Sequence, residues 1–445
     1  MVIYDVAIVG AGASGLMAAG QALKNGRSVA IFEMGANPGR KINVSGGGHC
    51  NITNTGANFE RYFGENPQFV RSALNQFKPA DLLNWAQGHN IELYQKTPGR
   101  YFCKSAASDV THALLDDVKG ADVFYNTDIK NISKRSDDIF CIGTDNTIFY
   151  AKSVIVASGG ISYPVLGVSD IGYKIAKHFG HRVVPVRPAL CAICISDNPY
   201  SEFSGISMPV GLKIGRNCIY DDLLFTHLGI GGPAAYRASV YNISDGIHLD
   251  LLPGNNILNI LTNAKKNTGR KQVSNILSEY LPARIAKYIM QNDTRNVADI
   301  KDIELKQIAT SVHDIYLSGN MLKYHNMSSA EVTYGGVSTD EISSKTMESK
   351  LCSGLFFVGE VLDITGDLGG FNLHWAWASG FVAGNNVYLK MPDCAFVLFF
   401  DQVHCSSIFD NQVWIICCFF VPCPYVISIF DIRLGSDFYF MMRRF

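Results

Sequence analysis

Apolar residues run without interruption from Val6 to Val9 and again from Val29 to Phe32, and a helical pattern between them begins directly after the glycines at positions 10 to 15. Short unbroken apolar runs bounded by turn residues read as buried strands, so the opening predicts strand, helix, strand. A polar, glycine-rich stretch covers residues 39–54, and helical patterns follow around Pro67 to Phe77, Pro79 to Gly88 and Ala107 to Val118. Residues Val123 to Tyr150 read as β-rich. The strand Ser153 to Ala157 then runs into Ser158-Gly159-Gly160, a second strand-to-glycine turn of the kind that returns the chain to the first sheet. Residues 183–252 read as short strands separated by Gly, Pro and Asn, whereas Ile257 to Tyr324 turns helical and basic. Next come Thr333-Tyr334-Gly335-Gly336-Val337, a strand at Leu355 to Val358, the turn Gly359-Glu360-Val361-Leu362-Asp363, and a helix from about Asn372 to Tyr388. From Met391 onward no period is evident, and this stretch holds ten of the 26 Phe and five of the 12 Cys.

The glycines after the first strand bring chemistry into this pattern. In Gly10-Ala11-Gly12-Ala13-Ser14-Gly15, Gly10 permits the tight turn, Gly12 lets backbone approach a pyrophosphate, and Gly15 allows the helix to pack closely on the sheet. Phosphates would sit at the helix N-terminus. The second strand ends at Glu33, eighteen residues beyond Gly15, where a carboxylate can accept hydrogen bonds from a ribose 2′-hydroxyl and would repel a 2′-phosphate. The site therefore suits the AMP half of FAD or NAD better than that of NADP. A glycine triplet alone is a common turn; strand, helix, second strand and acid together make it a dinucleotide site. The many glycines of residues 39–54 imply backbone lying against a ligand.

With 445 residues and 47% hydrophobic content, the chain can bury one large core or two to three domains, and disorder is excluded. A net charge of −1 gives no global case for a nucleic-acid or membrane partner, so local features must decide. Met1 to Leu23 lacks a basic start, carries Asp5 and contains the glycine cluster, so it reads as core and not as a signal peptide, and the protein as cytoplasmic. The cysteines form no framework and read as reduced thiols. Cys191 and Cys194 have metal-ligand spacing, but no second pair lies at a suitable distance, so they read as packing in a buried strand and no metal is expected. In the tail, Val413 to Phe430 is uncharged and long enough to raise a membrane span, but Pro422 and Pro424 interrupt it. An extension from a shifted or read-through frame fits it best; a packed extension and a membrane anchor are the alternatives.

Four blocks now stand together: the Gly10 fingerprint with Glu33; Gly39-Arg40-Lys41 through Ser45-Gly46-Gly47-Gly48 to Cys50-Asn51 and Asn54; Leu224-Phe225-Thr226-His227 with Gly231-Gly232-Pro233; and Gly359-Glu360-Val361-Leu362-Asp363 through Gly369-Gly370-Phe371-Asn372 to Trp375-Ala376-Trp377. Spanning residues 4 to about 388, they resemble the bacterial FAD-dependent oxidoreductases called the BaiN/RdsA family, in the glutathione-reductase-like superfamily. Gly99-Arg100 with Ser108-Asp109-Val110, and Ser162-Tyr163-Pro164 ahead of Gly180-His181, are weaker echoes. His49 stands where the family usually has Arg, Cys103 where Pro is usual and His374 where Gln is usual, and the tail has no counterpart.

The resemblance implies an α/β fold: a Rossmann-like FAD-binding domain (1–185, returning at 325–390) with an inserted β-rich substrate domain (186–256), a small helical subdomain (257–324) and an atypical tail (391–445). It implies FAD as cofactor and NADH or NADPH as electron donor. The cofactor-binding residues would be Gly10, Gly12, Ala13, Ser14, Gly15, Glu33, Arg40, Lys41, Ser45, Gly46, Gly47, Gly48, Gly159, Gly160, Gly359, Glu360, Gly369, Gly370, Phe371 and Asn372. In the superfamily the residue matching Glu360 bonds the ribityl chain or lies beside the pyrophosphate, Gly369 and Gly370 touch the isoalloxazine edge, and the helix from Asn372 aims its positive end at flavin N1 and O2, favouring the anionic reduced flavin.

Family members reduce carbon–carbon double bonds, in a steroid-acid ring or in uracil of large-subunit ribosomal RNA, and both reactions need an acid as well as a hydride. His227, Cys50 and His374 are the candidates for that acid or for a substrate-polarising group, each with packing or solvent exposure as its plain alternative. Residues 257–324 carry ten Lys and Arg against six Asp and Glu, which suits a phosphate backbone and equally a solvated helical face. Three classes of function stay open: a ribosomal-RNA uridine reductase, a small-molecule enone reductase or amine oxidase, and a decayed flavoprotein suggested by the tail and His49. No stable membrane association is expected, and the oligomeric state is open.

Overall fold

The computed structural model describes residues 2–387; Tyr388 and the tail 391–445, with the readings attached to it, lie outside the described residues. The predicted opening forms as strand Ile3–Val9, helix Ala13–Lys24 and strand Val29–Phe32. Five strands run parallel in the order Asp122–Phe124, Val29–Phe32, Ile3–Val9, Ile148–Val156, Leu355–Phe357. Phe140–Gly143 and Asn131–Lys134 extend this seven-stranded sheet antiparallel. The strand read from Ser153 starts earlier, at Ile148, because its first half pairs with Phe140–Gly143 and only its last residues meet Leu355–Phe357. Val154, Ile155 and Val156 are consequently fully buried, with sheet on both sides.

Two helices lie against each other on this sheet, Ala13–Lys24 and Phe371–Asn386. Their approach is set by small residues: a Cβ placed on Gly380 would come 2.3 Å from the Ser14 carbonyl oxygen, and one on Gly384 would come 2.3 Å from that of Ala18.

The antiparallel pair Val183–Ala189 and Val332–Val337 leads out of the FAD-type sheet and back. Between them a second seven-stranded sheet, antiparallel throughout, runs in the order Ile315–Leu317, Ile247–Asp250, Ser207–Ile214, Asn217–Thr226, Gly229–Gly231, Ile193–Ile195, Leu322–Tyr324. Helix Gly232–Ala238 packs on its strands Asn217–Thr226 and Ser207–Ile214, Asp302–His313 packs on Ile247–Asp250 and Ile315–Leu317, and helices Ile257–Asn267, Val273–Leu277 and Ala283–Ile289 share its core. Ile257, Leu261, Leu277 and Ile285 share one core with Val210, Leu223, Phe225 and Ile247. The change of periodicity at 256 thus marks a change of element inside a common core, and Ile315–Leu317 and Leu322–Tyr324 return from the helical segment to the sheet. A short amphipathic helix buries its apolar face only against a partner, and periodicity does not name that partner.

Residues 39–54 are also more regular than a glycine-rich loop. Arg40–Val44 is a short helix, Ser45–Gly47 a single tight turn, and Asn51–Asn54 a strand paired with Arg100–Cys103.

Candidate functional site

Three glycine turns meet at the carboxyl ends of the central parallel strands, where ligands of open α/β sheets bind. A Cβ on Gly10 would lie 2.6 Å from the Ala157 carbonyl oxygen, and one on Gly359 would lie 2.6 Å from Ser14 Oγ, so the first turn touches both of the others. Gly15 is tighter still, with a Cβ 2.0 Å from the Gly10 oxygen. Gly12, at the start of helix Ala13–Lys24, faces open space, as do Gly47, Gly48 and Gly159. The close-packed and the open glycines therefore divide as the fingerprint predicts, and the open ones leave a cradle of bare backbone.

Glu33 is buried, at 6% exposure, and its two oxygens are partly used: Oε2 accepts from the Ala11 N–H at 3.0 Å, and Oε1 from the Gly35 N–H at 2.8 Å and Arg40 Nη2 at 2.7 Å. A carboxylate has about four lone-pair sites, which leaves room for a ribose hydroxyl. Arg40 is thus held by Glu33, whereas its neighbour Lys41 turns the other way. Lys41 Nζ donates to Glu360 Oε2 at 2.8 Å and to Ser162 Oγ at 2.9 Å. Glu360 Oε1 accepts from the Thr333 N–H at 2.8 Å and from the Ser162 hydroxyl at 3.2 Å. Burial pushes the Glu360 pKa up, but the Lys41 ammonium and these hydrogen bonds outweigh it and hold the carboxyl below its ordinary range. Gly160 allows this packing, since a Cβ there would reach 2.7 Å from Glu360 Oε1.

Helix Phe371–Asn386 ties the parts together. Trp375 Nε1 donates to the Gly359 oxygen at 3.1 Å, the Gly359 N–H donates to Ser379 Oγ at 2.9 Å, and Trp377 Nε1 donates to the Ile52 oxygen at 2.9 Å. Asn372 staples the preceding loop, accepting from the Gly366 N–H at 2.7 Å and donating to the Gly366 oxygen at 2.9 Å. Gly370, at φ +94°, opens the helix over Thr53 and Asn51. Asn54 Nδ2 donates to the Gly369 oxygen at 2.9 Å, while Ser45 Oγ donates to the Ile42 oxygen, and a Cβ on Gly46 would meet the Asn51 nitrogen and the Phe102 ring.

Beside Phe371 a cleft of about 540 Å³ is lined by residues including Asn54, Arg61, Thr97, Arg100 and Asp221. Arg61 lies 5.1 Å over the Phe371 ring and meets Asp367 at 3.2 Å. Arg237 bridges Asp367 at 3.3 Å to Asp221 at 3.5 Å, linking the helix-start loop to the second sheet. Glu331 is exposed at its surface, with Arg100 and Tyr236 as electrostatic neighbours, and partial desolvation raises its pKa against the pull of Arg100.

Residues 4–386 match the family model described as the HI0933-like protein Rossmann domain. The chain belongs to this HI0933-like family. It is a family of FAD-dependent oxidoreductases, which bears out the resemblance read from the four blocks. Over 394 residues the chain is 36% identical to the ribosomal RNA dihydrouridine synthase of Haemophilus influenzae, covering 85% of this chain and 97% of the relative. It is 32% identical to the Escherichia coli protein of the same name, covering 86% and 98%, and 28% identical to the 3-dehydro-bile acid delta(4,6)-reductase of Clostridium scindens, covering 85% and 98%.

The HI0933-like residues present here fit FAD. The open glycine backbone at a helix start, the residual capacity of Glu33, and the buried Asn51 Oδ1 that lacks a donor beside Gly370 are bare or unsatisfied polar surface of the kind such a cofactor would use. The three candidates for a proton donor are not brought together, and none of them lines the cleft. His227 is exposed in the turn between Asn217–Thr226 and Gly229–Gly231. Cys50 is fully buried, and a hydrogen bond with the Cys103 thiol together with burial pushes its pKa well up, so it is a packed, protonated thiol. Two of the family departures are in contact here: the Cys103 N–H donates to the His49 oxygen at 2.7 Å, and His49 Nδ1 lies 3.2 Å from the Cys103 oxygen.

His374 is fully buried, stacked on Phe77 at 6.3 Å with Nδ1 3.0 Å from Thr53 Oγ1. Burial lowers its pKa from 6.5 to about 4, so the ring is neutral near pH 7. Because the folded pKa lies below the unfolded one, the stability from this neutral ring is complete above pH 6.5 and is lost as the pH falls from there towards 4. The shift corresponds to roughly 3 kcal/mol. His374→Gln is expected to flatten that dependence: urea unfolding at pH 7 and pH 4.5 should show a smaller loss for the variant. Equal losses in both proteins would count against a buried neutral histidine.

Arg61, Arg100, Asp221, Asp367 and Glu331 escaped sequence reasoning, except that Gly99-Arg100 stood among the weaker echoes of the family. The basic excess of the helical segment is also smaller in space than in sequence. Lys265 pairs with Asp302 at 2.8 Å, Arg295 with Asp293 and Glu304 at 2.7 Å each, and Lys271 with Glu279. Lys266, Arg270, Lys287 and Lys306 remain exposed and without a carboxylate partner among the described residues. Among those residues, no helix is long and apolar enough to cross a membrane.

Proposed function

We propose that this chain is an FAD-dependent reductase of a carbon–carbon double bond whose substrate is a uridine of large-subunit ribosomal RNA, converted to dihydrouridine in the cytoplasm. The observation that carries this reading is the pair of near full-length relatives named ribosomal RNA dihydrouridine synthase, at 36% and 32% identity. Exposed Lys266, Arg270, Lys287 and Lys306 support it, as cations available to RNA phosphates.

When bound, FAD supplies hydride chemistry at its N5. The chain's own residues would bind and orient it: the Gly10 turn at the N-terminus of helix Ala13–Lys24 would receive the pyrophosphate, Glu33 would accept from the adenosine ribose, and the Lys41–Glu360–Ser162 cluster would hold the middle of the cofactor. Glu331, an exposed carboxyl with a raised pKa and Arg100 as electrostatic neighbour, is the proposed acid in place of His227, Cys50 and His374, although none of the four lines the cleft. One dinucleotide fingerprint serves FAD, and NADH or NADPH docks transiently. The Clostridium scindens relative favours a second reading, reduction of a small-molecule enone.

The purified protein, reduced anaerobically with NADH or NADPH, is expected to lose its flavin absorption bands and then to add two hydrogens to one uridine of unmodified large-subunit rRNA, read by mass spectrometry of nuclease fragments. Turnover of a steroid enone with no change in the RNA would replace this reading with the second. Flavin bands that persist with both donors would remove the nicotinamide step.

A further inference from the structure

The two arginines of the cleft differ in what already occupies them. Arg61 is committed, paired with Asp367 at 3.2 Å and laid over Phe371. Arg100 has one long hydrogen bond, from Nη2 to the Leu368 oxygen at 3.4 Å, and among the described residues no carboxylate forms a salt bridge with it, the exposed Glu331 acting on it only electrostatically. A guanidinium carries several N–H donors in a rigid fork that matches an oxyanion, and most of this fork is unused.

Its position is nevertheless fixed. Arg100 stands opposite both Asn54 and Thr97 in the three-stranded sheet, and its side chain crosses Gly369 so closely that a Cβ there would lie 2.4 Å from Nε. The half-buried side chain is therefore aimed into the cleft by backbone on two sides, unlike a free surface arginine. A held cation with unfilled donors, in a cleft otherwise lined by uncharged residues and an already paired Arg61 and Asp221, is a site for one anionic group.

We propose that Arg100 binds an oxyanion of the substrate, namely a phosphate flanking the nucleotide that is reduced. This rests on the ribosomal-RNA reading; the carboxylate of a small acid would present the same oxyanion to the same fork. Arg100 is here a specificity residue that positions the substrate.

The test uses the FAD-loaded full chain and an unmodified fragment of large-subunit rRNA, with affinity measured across a salt series. Arg100→Ala is expected to weaken binding roughly ten- to a hundred-fold, as for loss of a charged hydrogen bond, and to reduce the slope of log affinity against log salt by about one. Arg100→Lys should recover the slope but only part of the affinity, because a point charge replaces the fork. Lys104→Ala, an exposed and paired lysine nearby, is the control for general charge and should change neither. Unchanged affinity and slope in Arg100→Ala would overturn the inference. So would loss of FAD from that variant, which would assign the arginine to the cofactor. If the wild-type chain ignores RNA, the comparison is repeated with a carboxylate-bearing steroid enone and its methyl ester. A raised KM for the acid alone would then uphold the oxyanion site while removing the RNA reading, and no difference would overturn both.

Discussion

Gly380→Val is expected to destabilise the chain by roughly 3 kcal/mol and to release FAD at the same time, the upper end of what overpacking costs. The obstacle is backbone: a Cβ at 380 would lie 2.3 Å from the Ser14 carbonyl oxygen and 3.1 Å from its carbon. A side chain could turn away, but a carbonyl inside the first turn of a helix can move only with the helix. That turn follows Gly12 directly, so any shift that relieves the clash displaces the open backbone proposed to receive the pyrophosphate. Gly384, one helical turn further, meets the Ala18 oxygen at the same 2.3 Å, so tilting the helix does not open a gap. Urea unfolding and retained flavin absorbance measure the two effects. Gly88→Ala, where a Cβ meets nothing within 4 Å, should leave both essentially unaltered. A Gly380→Val protein with wild-type stability would show that the two helices are not packed as described.

Lys41→Met should cost about 2 kcal/mol at neutral pH, because it strips the largely shielded Glu360 carboxylate of its counter-charge, less than the loss for a fully buried pair. Glu360 then keeps the Thr333 N–H and the Ser162 hydroxyl but loses the 2.8 Å ammonium contact, and burial dominates its titration. The sign of the pH dependence reverses. In the wild type the Glu360 pKa is depressed from 4.5, so its contribution is present above 4.5 and is lost as the pH falls through the folded value. In the variant the pKa rises above the unfolded value, so protonation relieves the penalty and the deficit against wild type narrows between pH 7 and pH 5. Adding Glu360→Gln to Lys41→Met should restore much of the loss, since no lone charge remains. Denaturant midpoints for the three proteins at both pH values decide it, and a deficit that widens in acid would contradict the arrangement.

Both effects join residues that local sequence cannot connect. Lys41 and Glu360 are 319 positions apart, and each was read as a cofactor residue without any sign that they pair. His374 stood at the helix expected to face the flavin, and only packing against Phe77 and Thr53 turned it into a neutral buried ring. Cys50 sat in the glycine-rich stretch, and pairing of Asn51–Asn54 with Arg100–Cys103 placed it against Cys103. The helical and β-rich insert segments differed in period, yet they share a core, since period reports the local element and not its neighbour.

By itself the sequence determined whatever depends on a few consecutive residues: the unbroken apolar runs that become parallel strands, the glycine spacing that makes the tight strand-to-helix turn, and the acid at the end of the second strand. These are short-range consequences of sterics and burial, legible wherever the residues are contiguous. Tertiary structure alone decided which charges meet, which histidine or thiol stays dry, and that Arg61, Arg100 and Asp221 line one cleft. Such outcomes depend on distance and dielectric surroundings in three dimensions, and these arise only when segments hundreds of residues apart pack against one another.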